Sequence, residues 1–160
     1  MGFDTVIASL IIITFVITMT YLFIASNYNL VEVSSNEYRK LVDIALERLN
    51  TRINITKINY NNTDYTVTVY IKNVGSTKFE DFSKFNVFIY GKAEGYSGTY
   101  YPTISNVSFT ITLDLINPGI FDPQEEAKVE ISLKDPLPNG TYVLLICTPN
   151  GVCCSGEFLV

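Results

Sequence analysis

From Val6 to Ala25 the chain reads VIASLIIITFVITMTYLFIA, an apolar run without a single charge. At about 1.5 Å of rise per helical residue, such a run matches the roughly 30 Å hydrocarbon core of a bilayer. Its β-branched residues are mediocre helix formers in water, but in lipid only a helix satisfies all of the segment's backbone groups internally. Thr14, Thr18 and Thr20 can bond back to helix carbonyls, and Tyr21 and Tyr28 fall near the exit, where amphipathic rings favour the interface. A cleaved secretory signal would open with positive charge and hold an apolar region of only about 7–15 residues. Here no Lys or Arg precedes Arg39 and the run is longer, so an uncleaved anchor is expected.

Removing this segment from the 160 residues leaves enough chain for one hydrophobic core but not two. A net charge of −5 offers no basic field to a phosphate backbone, which argues against nucleic acid as a partner. Histidine is absent, so no imidazole general base, Ser-His-Asp triad or imidazole-ligated metal can be built. No nucleophile–base pair is visible among the other residues. A non-catalytic chain without a cofactor is therefore expected. Tyr (11) and Phe (10) are abundant while Trp is missing, a composition suited to strands.

Ser34-Ser35-Asn36-Glu37 has the form of a helix-capping box, and Tyr38, Leu41, Val42, Ala45 and Leu49 follow at helical spacing. This predicts a short amphipathic helix from Asn36 to Thr51. Its apolar stripe would pack on the following body, or extend the membrane helix as a stalk that pairs with another chain. From Ile53 the period changes to two. Tyr65, Val67, Val69 and Ile71 alternate with Thr66, Thr68 and Tyr70, a strand pattern. Comparable runs lie at Ile53–Tyr60, Asn86–Tyr90, Val107–Leu115, Ala127–Leu133, Thr141–Thr148 and Cys154–Val160. Asn61-Asn-Thr-Asp64, Asn117-Pro-Gly119, Pro136–Gly140 and Pro149-Asn-Gly151 supply turn chemistry between them. Seven short strands point to an all-β, immunoglobulin-like β-sandwich, with a closed barrel as the second choice. The resulting division is a membrane anchor over residues 1–33, a linker helix over 34–52 and the β-domain over 53–160.

If Asn150-Gly151 formed a two-residue type I′ turn, Cys147 would face Cys154, close enough for a cross-strand disulfide in an oxidising compartment, with Cys153 left over. No fourth ligand or C-x-x-C repeat suggests a metal site. Asp122-Pro-Gln-Glu125-Glu126 could offer oxygen ligands to a cation, but a solvated acidic turn is the expected state. Gly91–Pro102 (GKAEGYSGTYYP) reads as a Gly/Tyr-rich loop or edge hairpin whose tyrosines suit a contact surface. Orientation is weakly signalled. Arg39 and Lys40 favour keeping the body inside, whereas the sequons at Asn54, Asn61, Asn106 and Asn139 suggest a glycosylated exterior.

Several stretches together resemble one family. They are MGFDTVIASLIIITF at the start, Val67-Thr-Val-Tyr-Ile-Lys-Asn-Val-Gly-Ser-Thr77, Phe82-Ser-Lys-Phe-Asn-Val-Phe-Ile-Tyr-Gly91, Asn117-Pro-Gly-Ile-Phe-Asp-Pro123, Asp135-Pro-Leu-Pro-Asn-Gly140 and Thr148-Pro-Asn-Gly151. In this order, over nearly the whole chain, they are similar to the archaellum stator proteins FlaF and FlaG, themselves related in fold to archaellins. The resemblance implies an archaellin-like sandwich on a single-pass anchor in an archaeal cell membrane, facing the space below the S-layer. It implies S-layer protein and other stator or motor proteins as partners, as a homodimer or hetero-oligomer, and the MGF opening leans toward FlaF. An archaellin- or pilin-like filament subunit is the runner-up, and an envelope adhesion module a third possibility. Filament subunits carry a short basic leader and a Glu at the fifth mature position. Here no basic residue precedes Gly2, and cleavage after it would place Ile7 there.

Overall fold

The computed structural model describes residues 2–160. One α-helix, α1, runs from Phe3 to Asn50. Seven strands follow: β1 (Ile53–Asn61), β2 (Thr66–Asn73), β3 (Asn86–Ala93), β4 (Ile104–Leu113), β5 (Glu126–Leu133), β6 (Gly140–Cys147) and β7 (Cys153–Leu159), with a 3₁₀ turn at Phe82–Lys84.

The N-terminal part of α1 has a window of mean hydropathy 2.4, long and apolar enough to cross a membrane. Its threonines do bond backward. Thr14 Oγ1 donates to the Leu10 carbonyl at 3.0 Å, Thr18 Oγ1 to that of Thr14 at 2.9 Å and Thr20 Oγ1 to that of Val16 at 2.8 Å. The helix boundary expected at Ser34–Glu37 is absent: those residues lie inside α1. No Gly or Pro interrupts residues 26–50, so nothing stops the apolar helix from continuing, and Ser34 has no free helix end to cap. The segment continues the apolar helix without a break.

Ala45–Val160 forms a compact unit, so the last helical residues belong with the sandwich. All pairings are antiparallel, in the orders β1-β2-β5-β4 and β3-β6-β7. The alternation read in the sequence sets the faces. Val67, Val69 and Ile71 of β2 are fully buried against Val129 and Ile131 of β5, and Leu144, Ile146 and Tyr142 of β6 fill the core from the other sheet. On one side the sandwich is closed by β1 over β7, where Gly156 lies under the Ile55 and Ile58 side chains. On the other side Phe82, Phe85 and Phe109 stack at 5.1–5.5 Å between ring centroids.

The helix end is joined to the sandwich by bonds at its last carbonyls, the groups a helix terminus leaves without internal partners, and at the residues beside them. Ser76 N donates to Asn50 O at 2.8 Å and Val74 N to Arg52 O at 2.9 Å. Thr51 Oγ1 donates to Glu47 O at 2.8 Å, and Arg48 Nε reaches Asn150 O at 2.8 Å. Asn150 Nδ2 donates in turn to Thr51 Oγ1 at 2.6 Å.

Candidate interaction surface

The antiparallel order gives the sandwich two ends. At one lie residues 45–52 together with the β2–β3, β4–β5 and β6–β7 loops. The other carries the β1–β2 turn, the β3–β4 loop and the β5–β6 turn.

The junction end is densely hydrogen-bonded, and its carboxylates are structural. Asp122 and Glu125 are fully buried, which overturns the expected solvated acidic turn. Glu125 Oε1 accepts from the amides of Leu115 (2.6 Å) and Ile116 (3.2 Å), and Oε2 from that of Asp122 at 2.8 Å. Asp122 Oδ2 accepts from Asn117 Nδ2 at 2.7 Å, and Oδ1 pairs with Lys78 Nζ at 2.9 Å. The bond from Lys78 and that from Asn117 hold the Asp122 carboxyl below its ordinary range. Asn73, also fully buried, ties the same region by donating to the Thr77 and Phe121 carbonyls and accepting from Gly75 N. Burying a carboxylate is costly unless hydrogen bonds replace its water, and here backbone amides do so. The one legible clue was the Asp-x-x-Glu spacing: Glu125 reaches back to the amide of Asp122 three residues earlier. Among the described residues no three His, Cys, Asp or Glu side chains cluster in a way that could hold a metal ion.

The cysteine pairing differs from the expectation. The disulfide joins Cys147 to Cys153, not to Cys154, which is free and half-buried. The turn is one residue longer than a two-residue hairpin. Gly151 N bonds to Thr148 O and Thr148 N to Val152 O, both at 2.9 Å, and Gly151 takes φ +83°, a left-handed conformation that glycine adopts without strain. Pro149–Gly151 therefore forms a three-residue loop with a bulge, and the register brings Cys147 opposite Cys153 and Ile146 opposite Cys154. Burial pushes the Cys154 thiol up to about 11, so at neutral pH it is protonated and a poor nucleophile.

The opposite end is aromatic. Gly91–Pro102 is an edge hairpin: Gly91 and Tyr100 exchange bonds of 3.0 and 2.7 Å, and Glu94 N donates to Asn139 O at 2.8 Å. Tyr100 packs edge-on to Tyr142 with centroids 6.3 Å apart and meets Tyr96 at 4.8 Å. Tyr142 is fully buried, its hydroxyl donating to Pro138 O at 2.9 Å; burial raises its pKa to about 12. On this foundation Tyr96 and Tyr101 stand 58% and 71% exposed. Tyr65, from the β1–β2 turn, lies at the same end, where its carbonyl accepts from Leu133 N at 2.9 Å. The sequons scatter over exposed positions. Asn54 is on β1 near the junction and Asn106 on edge strand β4, while Asn61 and Asn139 flank the tyrosine end. At Asn61 the side chain accepts from Thr63 N and donates to Asp64 Oδ2, both at 2.9 Å.

A long helix with an apolar N-terminal part leads into a two-sheet antiparallel sandwich that buries its carboxylates at one end and exposes tyrosines at the other. The chain belongs to the archaeal-type flagellin family, whose model matches residues 2–158. It is 43% identical over 160 residues to a protein of Archaeoglobus fulgidus with no assigned function, covering 100% of this chain and 98% of that one. Among solved structures it is similar to the archaellum periplasmic stator protein FlaG from Sulfolobus acidocaldarius. That match has 27% identity and TM-score 0.46 and covers 68% of this chain and 99% of the other. The stator complex of FlaF and FlaG from the same organism matches at 28% identity and TM-score 0.46, covering 68% of this chain and 89% of that one. Membership of the archaeal-type flagellin family places the chain among structural proteins, not enzymes.

Proposed function

We propose that this protein is a structural component of the archaellum motor, a stator that α1 anchors in the archaeal cell membrane while the sandwich grips S-layer protein. The observation that carries the reading is the exposed tyrosine cluster on a rigid footing, at the end of the sandwich opposite its junction with the helix. Tyrosine gives large contact area at low entropic cost and is enriched in interfaces. The family match and the stator resemblance supply the context. In this reading the sandwich faces the space between membrane and S-layer, where its sequons are available for glycosylation and its disulfide is stable. Rotation loads such a tether along the chain, and the bonds that join the helix end to the β2–β3 and β6–β7 loops are placed to carry that load.

The full-length protein in lipid vesicles is expected to bind purified S-layer fragments, and Tyr96→Ala with Tyr101→Ala to weaken binding roughly tenfold or more. A wild type without affinity for S-layer, or a double variant that binds equally well, would remove the reading. The family match itself favours a second reading, a filament subunit, which the native N-terminus tests below.

A further inference from the structure

Helix α1 has 48 residues, and about 20 suffice to cross a bilayer. Residues 26–50 thus continue for about 37 Å of helix in water. A lone aqueous helix with four Asn, three Ser and three Val in this stretch is marginal by propensity, and it leaves large apolar side chains uncovered, from Tyr28 (73% exposed) to Leu49 (80% exposed).

Tyr28, Val31, Tyr38, Val42 and Leu49 share one seam of a seven-residue repeat, while exposed Val33 and Ile44 lie off it. Tyr28, Ser35, Val42 and Leu49 fall at a positions, and Val31, Tyr38 and Ala45 at d positions. The same register runs back through the membrane segment, placing Ile7, Leu10, Thr14, Ile17, Tyr21 and Ile24 on the seam. No charged residue from Glu32 to Arg48 occupies an a or d position. A strict 3.5-residue period is the mark of a left-handed supercoil rather than of a helix packed on a globular surface. Exposed Leu41 and Leu46 occupy g and e positions five residues apart, the spacing that meets across the seam of a parallel pair.

We propose that residues 28–49 form a parallel, in-register coiled coil with the same segment of a second copy of this chain. The membrane favours this partner. Copies inserted with the same orientation stand parallel and level, so a meets a and d meets d without any search for register. Ser35, the one polar seam residue of the stalk, would add register specificity at some expense of stability. The proposal requires that Val6–Ala25 span the bilayer, but it is independent of what the sandwich binds.

The test uses the full chain in lipid vesicles and oxidative crosslinking of single-cysteine substitutions, with the wild type as the background for Cys154. Tyr38→Cys and Val42→Cys, on the seam, should form disulfide-linked dimers roughly tenfold more than Lys40→Cys and Asp43→Cys on the outer face. Each seam position should link to its own copy, which only parallel, level pairing allows. In a Ser35→Cys background, adding Val42→Glu should abolish the crosslink, because it buries like charges against each other. Equal crosslinking on all faces, none on the seam, linkage only between non-equivalent positions, or a Ser35→Cys crosslink indifferent to Val42→Glu would each overturn the proposal. S-layer binding by the same preparations is read separately, so failure of one leaves the other standing.

Discussion

Glu125 shows how much one side chain holds at the junction end. Its two carboxylate oxygens receive three backbone amides, and an amide side chain can supply only one such acceptor. Glu125→Gln turns an NH₂ group toward an N–H, so the protein should lose about 1–3 kcal/mol of stability, read by thermal or urea unfolding. An unchanged midpoint would mean that the loop refolds around the loss. Asp122 adds a pH dependence. Its carboxyl is held low chiefly by Lys78, so its contribution is complete above the ordinary carboxylate value of about 3.9 and is lost as pH falls through the depressed native value. Lys78→Met should move acid unfolding to higher pH, a shift absent if the pair does not matter. Beyond the Asp-x-x-Glu spacing neither role was legible in the sequence, because a carboxylate in a turn looks the same whether water or backbone amides solvate it. The Cys147–Cys153 pair was missed for a related reason: one residue more in the turn, held by Gly151, decides which thiol faces Cys147.

The elements were easier to read. All seven strands lie where period-two alternation puts them, since a half-buried sheet forces that alternation on its sequence. The continuous helix is only the second of the two fates the sequence offers, because the capping pattern at Ser34 points to a boundary even though no helix breaker lies around it. What ends the helix is tertiary. A Cβ on Gly75 would lie 2.5 Å from Arg52 N and 2.5 Å from Asn50 O, both backbone atoms, so the β2–β3 loop can approach the helix end only because Gly75 has no side chain. Gly75→Ala should therefore push the loop off the helix terminus, lowering stability by about 1–3 kcal/mol and opening the peptide around Thr51–Ile53 to protease. Unaltered stability and cleavage would show that the loop can give way without loosening the junction.

For the molecule as a whole, tether and filament subunit make opposite demands on the same N-terminal helix. A tether keeps its apolar segment in lipid for good, and the seam described above can then operate alongside the bilayer. A subunit must leave the membrane, and in the pilin-type route it does so after cleavage that frees its mature terminus, with a Glu at the fifth position. Cleavage after Gly2 would place Ile7 there, so the residue that route relies on is replaced by one that favours staying in the hydrocarbon. Mass spectrometry of the protein isolated from native membranes is expected to find the chain starting at Met1 or Gly2 and to recover it with the membrane fraction. A first residue of Phe3, together with recovery in sheared filaments, would instead make this chain a subunit and turn the tyrosine end into a surface between subunits.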